Sequence, residues 1–236
     1  MKKTMFSLLA LVLMVVPMVS RAQGSDTRPG VAVLQFDNGS IQPELAPLSK
    51  GIQSMMITVL AMNPRIHVVE RDNLQKILDE QKLGSSGQLD PSTVIRVGKL
   101  IGARYMITGG FITDPKKTMN INVRAFDVET GQIIYTDGTA KGPSDNLMDL
   151  IAQAANTANT KLNLPQLPPG PARDNEEKQL SSAKKVPFQA VMLYSRAIEA
   201  QDKGDKSGAV QLYKQAIDKF PDYDAAKEAL KKVQGS

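Results

Sequence analysis

The sequence predicts an α+β fold, in which helices pack on a mixed β-sheet, followed by a small all-helical hairpin. Short runs rich in β-branched residues alternate with segments whose apolar residues recur at every third or fourth position. A proline-rich and charged stretch at residues 164–185 separates this front piece, residues 23–163, from residues 186–236, which show helical periodicity alone. Its prolines favour an extended backbone and its charged run lacks apolar periodicity, so we expect an exposed spacer. The front piece is long enough for its own core, whereas the C-terminal piece is marginal alone.

Residues 1–22 predict a secretory signal peptide. A basic start precedes an uncharged run at residues 5–19, and Ser20 and Ala22 flank a predicted cleavage before Gln23. The apolar run is short for a spanning helix, although a retained N-terminal anchor is the alternative. The chain contains no cysteine, which excludes a lipid-bearing cysteine, a disulfide and a thiolate metal site. We expect an exported protein, in the simplest case periplasmic, with no spanning segment after the signal is removed.

The formal net charge of +5 does not predict nucleic-acid binding. Three of the 29 basic residues lie in the predicted signal and the chain has 24 acidic residues, so the mature chain is close to neutral. Acidic and basic residues are interspersed, and the sequence lacks the clustered positive face that nucleic acid requires. There is also no tryptophan on which bases could stack.

The first half of the front piece alternates strands with helices. Apolar runs at residues 31–36 and 66–69 predict strands, and the amphipathic helix between them ends before Pro64. A second helix is predicted around residues 74–78. A third begins at Asp90, a capping carboxylate followed by proline at the first helical position.

The second half of the front piece turns to strands. Residues 104–113 and 119–125 predict a hairpin that turns at residues 114–117, and the alternating second strand is typical of a sheet with one solvated face. A turn at residues 129–131 leads to a third strand, and a last helix spans residues 147–162. The predicted order is β-α-β-α-α-β-β-β-α.

A string of ordered motifs resembles the curli assembly/transport component (CsgG-like) family. The motifs are VAVLQFDN, VVERDNLQKILDEQKLGSSG, LDPSTVIRVGKLIGARYMITG and VRAFDVETGQII, and the resemblance spans roughly residues 29–161. It implies a periplasmic domain that, in the best-known members, forms a ring at the outer membrane and exports amyloid-forming subunits. It also implies a fold close to that of outer-membrane lipoproteins that activate peptidoglycan synthases.

The chain departs from the pore-forming members in two respects. It has no cysteine to carry a lipid, and its hairpin FITDPKKTMNINV, residues 111–123, is short. A membrane-spanning strand needs about 9–11 residues, and a spanning hairpin needs roughly twice that plus its turn. The residues of this hairpin are already needed to form two strands of the predicted sheet. We therefore expect the hairpin to belong to the soluble domain.

Residues 191–233 resemble a tetratricopeptide (TPR) repeat. The residues at its helix-packing, turn and terminating positions are Leu193, Ala197, Ala200, Gly204, Ala209, Tyr213, Ala216 and Pro221. A generic helical hairpin is the alternative. Because a single repeat cannot bury its faces alone, this unit must dock on its own domain, on a neighbouring copy or on a helical partner.

The sequence predicts no catalytic, cofactor-binding or metal site, and we expect no enzyme. His67 lies in a predicted strand without ligand spacing and is interpreted as structural. Residues 84–87 lack the lysine and spacing of a phosphate-binding loop. Gly109 and Gly110 open no helix and are expected to mark a β-bulge.

Three hypotheses for function follow. The first is a self-associating periplasmic assembly protein, acting in curli-like secretion or envelope assembly at the inner face of the outer membrane, whose TPR unit recruits a protein partner. The second is a monomeric adaptor or regulator of an envelope enzyme, similar to penicillin-binding-protein activator lipoproteins. The third, an outer-membrane secretion pore, is disfavoured by the two departures.

Two groups of residues are predicted to bind protein. One group is expected at or near the open surface of the TPR unit, and the other in a loop that would contact a neighbouring copy. They are Tyr194, Arg196, Lys203 and Tyr223 in the first group, and Gly84, Ser85, Ser86, Gly87 and Gln88 in the second.

Overall fold

The computed structural model describes residues 27–83 and 89–235, with the side chains of residues 135–139 left out of the description. The predicted signal peptide and the loop 84–88 therefore lie outside the described residues. The strands are β1 (Gly30–Asn38), β2 (His67–Val68), β3 (Tyr105–Thr113), β4 (Thr118–Asp127) and β5 (Ile133–Pro143). The α-helices are α1 (Leu48–Ala61), α2 (Arg71–Glu80), α3 (Pro91–Leu100), α4 (Leu147–Lys161), α5 (Pro171–Ala183), α6 (Phe188–Asp202), α7 (Lys206–Lys219) and α8 (Asp224–Gly235).

The five strands form one mixed sheet in the order β2-β1-β3-β4-β5. Strand β1 pairs in parallel with β2 and β3, as expected of strands joined by helical crossovers, whereas β3, β4 and β5 are antiparallel neighbours. The predicted hairpin lies inside this sheet. Its strands pair from Tyr105↔Asp127 to Thr113↔Met119, which confirms that its length is used to build the sheet.

Helices α1 and α4 cover one face of the sheet, which we call the front face. Every second residue of β4 points towards this face. These residues include Met119, Ile121 and Val123, and all three are fully buried. In α1, eight of the fourteen residues are buried. A helix that is buried over so wide an arc needs a second layer on its outer side.

Helices α2 and α3 cover part of the opposite face, which we call the back face. Their apolar stripes meet Ala32, Leu34 and Met106 in a smaller separate core. Helix α3 begins as predicted: the carboxylate of Asp90 accepts hydrogen bonds from the backbone N–H and the hydroxyl of Thr93, at 3.1 and 2.6 Å. Together with Ser92, Thr93 holds the pKa of Asp90 well below its usual range.

Helices α6, α7 and α8 supply the second layer on the front face. Helix α6 packs along α1, and the apolar residues of all three helices join those of the sheet, α1 and α4 in one continuous core. The closest approach is at Gly51 of α1, where a methyl group would overlap the hydroxyl of the fully buried Ser195. The repeat-like unit therefore docks on its own domain, the first of the three ways predicted to bury its faces.

The predicted fold class is confirmed. The predicted order of strands and helices in the front piece is also observed, and the C-terminal helices turn at Gly204, whose φ is 79°. The strand predicted at residues 66–69 is shorter, since only His67 and Val68 pair.

Two predictions need correction. The charged part of the linker is not irregular: residues 171–183 form α5, which starts at Pro171 and carries an Arg173–Glu177 ion pair one turn apart. It is exposed as predicted, because it lacks an apolar stripe. In the pairing of β1 with β3 the extra residue is on β1, between Val33 and Phe36, while Gly109 and Gly110 pair regularly with β4; further register shifts lie between β4 and β5. A side chain at Gly109 would overlap the carbonyl of Asn122 in β4.

Candidate functional site: a cleft between the two units

A cleft of about 700 Å³ lies where the C-terminal unit, helices α6–α8, meets the front domain. One wall comes from α1 and the start of α2, the other comes from α8, and α6 and α7 form the floor. Its lining is Ser54, Ile57, Thr58, Glu70, Arg71, Asp72, Tyr194, Ile198, Gln201, Tyr213, Ala225, Glu228, Ala229, Lys231, Lys232 and Gly235. Clefts at the junction of two packed units are common binding sites.

Three tyrosines form the floor of the cleft and the support beneath it. The ring of Tyr194 lies 5.6 Å from that of Tyr213 and 5.3 Å from that of Tyr223, in tilted arrangements typical of favourable aromatic pairs. Each hydroxyl has a partner. Tyr194 shares a 2.8 Å hydrogen bond with Ser54, and Tyr213 donates to Gln201 at 3.0 Å. Tyr223 donates to the sulfur of Met55 at 3.3 Å.

Burial makes these phenols harder to ionise. Desolvation raises the pKa of Tyr194, Tyr213 and Tyr223 above the ordinary value of 10.0. At Tyr194 the hydrogen bond with Ser54 opposes this rise only in part. The floor is thus an uncharged aromatic surface at physiological pH.

A network of charged side chains joins the two units beside this floor. Asp202 of α6 accepts hydrogen bonds from Lys50 of α1 at 2.5 Å and from Arg71 of α2 at 3.0 Å. Arg71 also pairs with Asp72 at 3.0 Å. The side chains of Lys50, Arg71 and Asp202 are only 20%, 13% and 17% exposed, so these pairs are screened less than surface pairs.

A second set of ion pairs bridges the cleft at its outer edge. Lys232 of α8 reaches Glu70 at 3.2 Å and Asp72 at 3.9 Å, both at the N-terminal end of α2. The side chains of Lys232 and Glu70 are 65% and 67% exposed, so this contact lies in solvent. The cleft therefore combines a buried aromatic floor with a charged rim. That combination suits a partner's apolar side chain anchored on the floor and oriented by polar groups at the edge.

The structure places the predicted binding residues in three different settings. Tyr194 and Tyr223 were expected at or near an open surface, but they are only 5% and 3% exposed. The expectation is wrong for Tyr223, whereas Tyr194 lies in the floor of the cleft. Arg196 and Lys203 are exposed, as expected, but do not line the cleft. Residues 84–88 lie outside the described residues, so their contact with a neighbouring copy stays a prediction.

Sequence reasoning missed the front domain's share of this site. The run Glu70, Arg71 and Asp72 lies just before the helix predicted around residues 74–78, and it forms one end of the cleft wall. Nothing in the local sequence indicates that α8 lies opposite. A usable signal was present only in α1, where Gly51 and Ser54 interrupt an apolar helix on its outer side, as expected of a surface that another helix approaches closely.

Within residues 27–83 and 89–235, no group of three or more His, Asp or Glu side chains is arranged to hold a metal ion. His67 is exposed in the edge strand β2. No helix in the same part of the chain is both long and apolar enough to cross a membrane.

Comparison with known families identifies one match. Residues 14–114 match the family described as curli production assembly/transport component CsgG. The match covers under half of the chain and identifies a CsgG family domain in its first part, which confirms the predicted resemblance for that segment. The TPR assignment of the C-terminal unit stays a prediction. No curated protein matches the chain.

Solved structures with a similar arrangement share little sequence with the chain. The LpoB C-terminal domain from Escherichia coli is 20% identical over 51% of this chain and 85% of its own, with a TM-score of 0.39. Lipoprotein GNA1162 from Neisseria meningitidis is 13% identical over 56% and 96%, with a TM-score of 0.42. A PelC dodecamer from Paraburkholderia phytofirmans is 14% identical over 57% and 88%, with a TM-score of 0.34. Likenesses at this level say nothing about activity or partners.

Proposed function

We propose that the chain is an exported, non-enzymatic assembly protein of the cell envelope, which holds a protein partner in the cleft between its two units. Its setting would be the periplasm, at the inner face of the outer membrane, in curli-like secretion or a related assembly step. The family match at residues 14–114 supports the envelope setting, since that family is described as an assembly/transport component.

One observation carries the proposal for the cleft. The C-terminal unit buries the inner side of α6 on α1, and the same packing leaves about 700 Å³ open beside α8. Because both units contribute to the lining, a ligand there would contact the CsgG-type domain and the repeat-like unit together. The ion pairs of Asp202 join the floor to the wall formed by α1 and α2, and they hold these two parts of the cleft in place, which lowers the entropy lost when a partner binds.

Site-specific photo-crosslinking in the native envelope tests this proposal. A photoreactive amino acid replaces Thr58 on one wall or Ala229 on the other, and Lys178 on the exposed helix α5 serves as the matched control. We expect the same partner protein to be captured from both walls and not from position 178. Equal capture at all three positions, or none at the walls, would contradict the proposal.

The packing of the C-terminal unit also favours the second hypothesis, a monomeric adaptor of an envelope enzyme. Docking on α1 buries the face that a neighbouring copy would otherwise have to cover. Light scattering behind a sizing column, on the mature chain without detergent, separates the two. A defined oligomer supports the self-associating assembly protein, and a clean monomer supports the adaptor.

A further inference from the structure

We infer that α8 is a movable wall of the cleft, which turns about a buried anchor at Tyr223 and is held closed at its other end by Lys232. This inference rests on the proposed function and deepens it, because it gives the cleft a way to admit and release a partner. It follows from how differently the two ends of α8 are attached to the front domain.

The N-terminal end of α8 is firmly anchored. Tyr223, the residue before the helix, is 3% exposed, stacks on Tyr194 and donates its hydroxyl to Met55 of α1. Ala226, one turn further on, is fully buried. Displacing this end would uncover an aromatic side chain and unpair its hydroxyl, both of which are costly.

The C-terminal end of α8 is held differently. There the contacts with the front domain include the ion pairs from Lys232 to Glu70 and Asp72, which cross the cleft in solvent. Pairs of this kind are weak and are screened by salt. They close the cleft without burying the groups that form them.

Helix α8 has few fully buried residues, and Ala225, Ala229 and Leu230 pack against the core while partly exposed. Two of its twelve residues, Ala226 and Val233, are buried, whereas α6 has seven buried residues. The side of α8 that faces the cleft carries the small residues Ala225 and Ala229. Outward rotation therefore breaks the Lys232 pairs and loosens the packing of Val233 in the shared core.

Distances between spin labels test this motion on the purified full chain without any partner. The sequence has no cysteine, so two introduced cysteines, Lys76→Cys on α2 and Gln234→Cys on α8, take the labels cleanly. Both native residues are exposed. The distance distribution is measured at low and high salt, in the parent and in Lys232→Ala. Lys227→Ala is the matched control, since Lys227 pairs with Asp224 of its own helix.

We expect Lys232→Ala to raise the population of longer distances about two- to fivefold, the effect of one exposed ion pair. Salt should produce the same change in the parent and little further change in Lys232→Ala, while Lys227→Ala should match the parent. Identical distributions throughout would overturn the inference, and so would loss of helical circular dichroism in Lys232→Ala, which would mean unfolding of α8. Failure here would leave capture by Thr58 unaffected, so it is distinguishable from failure of the proposed function.

Discussion

The two faces of the sheet are covered by different numbers of helical layers. On the front face, α1 lies between the sheet and a second layer of helices with α4 beside it, and one core runs from the sheet through to the second layer. On the back face, α2 and α3 form a single layer over a smaller core. The contrast is visible in individual helices: eight of fourteen residues are buried in α1, but only two of ten in α2.

This difference shows how a single repeat-like unit can be stable. A lone helical hairpin exposes an apolar face that further repeats normally cover. Here α1 takes the place of the missing neighbour, because Gly51 lets α6 approach closely and Ser54 offers Tyr194 a hydrogen bond. The C-terminal unit is accordingly a layer of the front face and not a freely tethered module.

Removing the second layer tests this comparison most severely. A chain that ends at residue 170 leaves the outer side of α1 uncovered, including Met55. We expect a loss of unfolding free energy of at least about 5 kcal/mol, since burial of each large apolar side chain contributes about 1.5–3 kcal/mol. Denaturant unfolding of the two chains measures it. A truncated chain as stable as the parent would show that the front domain does not need the layer.

Gly51→Ala should weaken the packing of α6 on α1 while both helices remain in the chain. The added methyl group overlaps Ser195, whose hydroxyl is held by the Val191 carbonyl at 2.7 Å, so α6 must shift. We expect a loss of about 1–3 kcal/mol in unfolding free energy, partly restored by Ser195→Ala. Gly235→Ala is the control, because its added methyl group meets open space. Equal stability of Gly51→Ala and the parent would mean that this close approach is unimportant.

Alkaline pH should weaken the front face selectively. The folded pKa values of Tyr194, Tyr213 and Tyr223 are raised, so the folded state keeps protons that the unfolded chain releases. The stability from these neutral phenols is fully present below pH 10 and declines as the pH rises from there through the folded values. Tyrosinate absorbance, recorded with circular dichroism, should show these groups ionising together with unfolding. Ionisation of more than two of the five tyrosines at the ordinary value in a folded chain would contradict this.

Asp90→Ala should have the smallest effect and act on the back face. It removes the carboxylate that caps α3, and so leaves the Thr93 N–H without that partner. We expect a smaller loss of stability than for Gly51→Ala, with faster amide exchange confined to the first turn of α3. Asp90→Asn, which can still cap, should recover most of it. Faster exchange spreading to α6 would show that the two faces are coupled.

Most of the domain's element order could be predicted because it depends on local patterns. The alternation in β4 and the Asp90-Pro91 start of α3 are each specified within a few residues. The helix α5 was missed because it has no apolar stripe, although its residues favour a helix once Pro171 starts one. The lack of an apolar stripe predicted correctly that this segment is exposed. It did not predict that the backbone is helical.

The cleft could not be predicted, because it exists only where two distant parts of the chain meet. Glu70 and Lys232 are 162 positions apart, and each looks like an ordinary surface charge in its own segment. Tyr213 was recognised as a repeat position, but its place in the floor depends on the docking of α6 on α1. Sequence pattern identified the two units, and only packing showed the site between them.

The exposed helix α5 has a consequence for the integrity of the chain. Helix α5 has no buried residue of its own. The segment before it is anchored by the buried Leu164 and by hydrogen bonds that Asn63 and Arg65 donate to backbone carbonyls of that segment. The helices after it are anchored by the shared core. A protease that cuts within α5 should therefore release nothing: the two fragments should migrate together until denatured, and separately expressed halves should reassemble when mixed. The covalent connection ensures that the right halves meet, and non-covalent packing keeps them together.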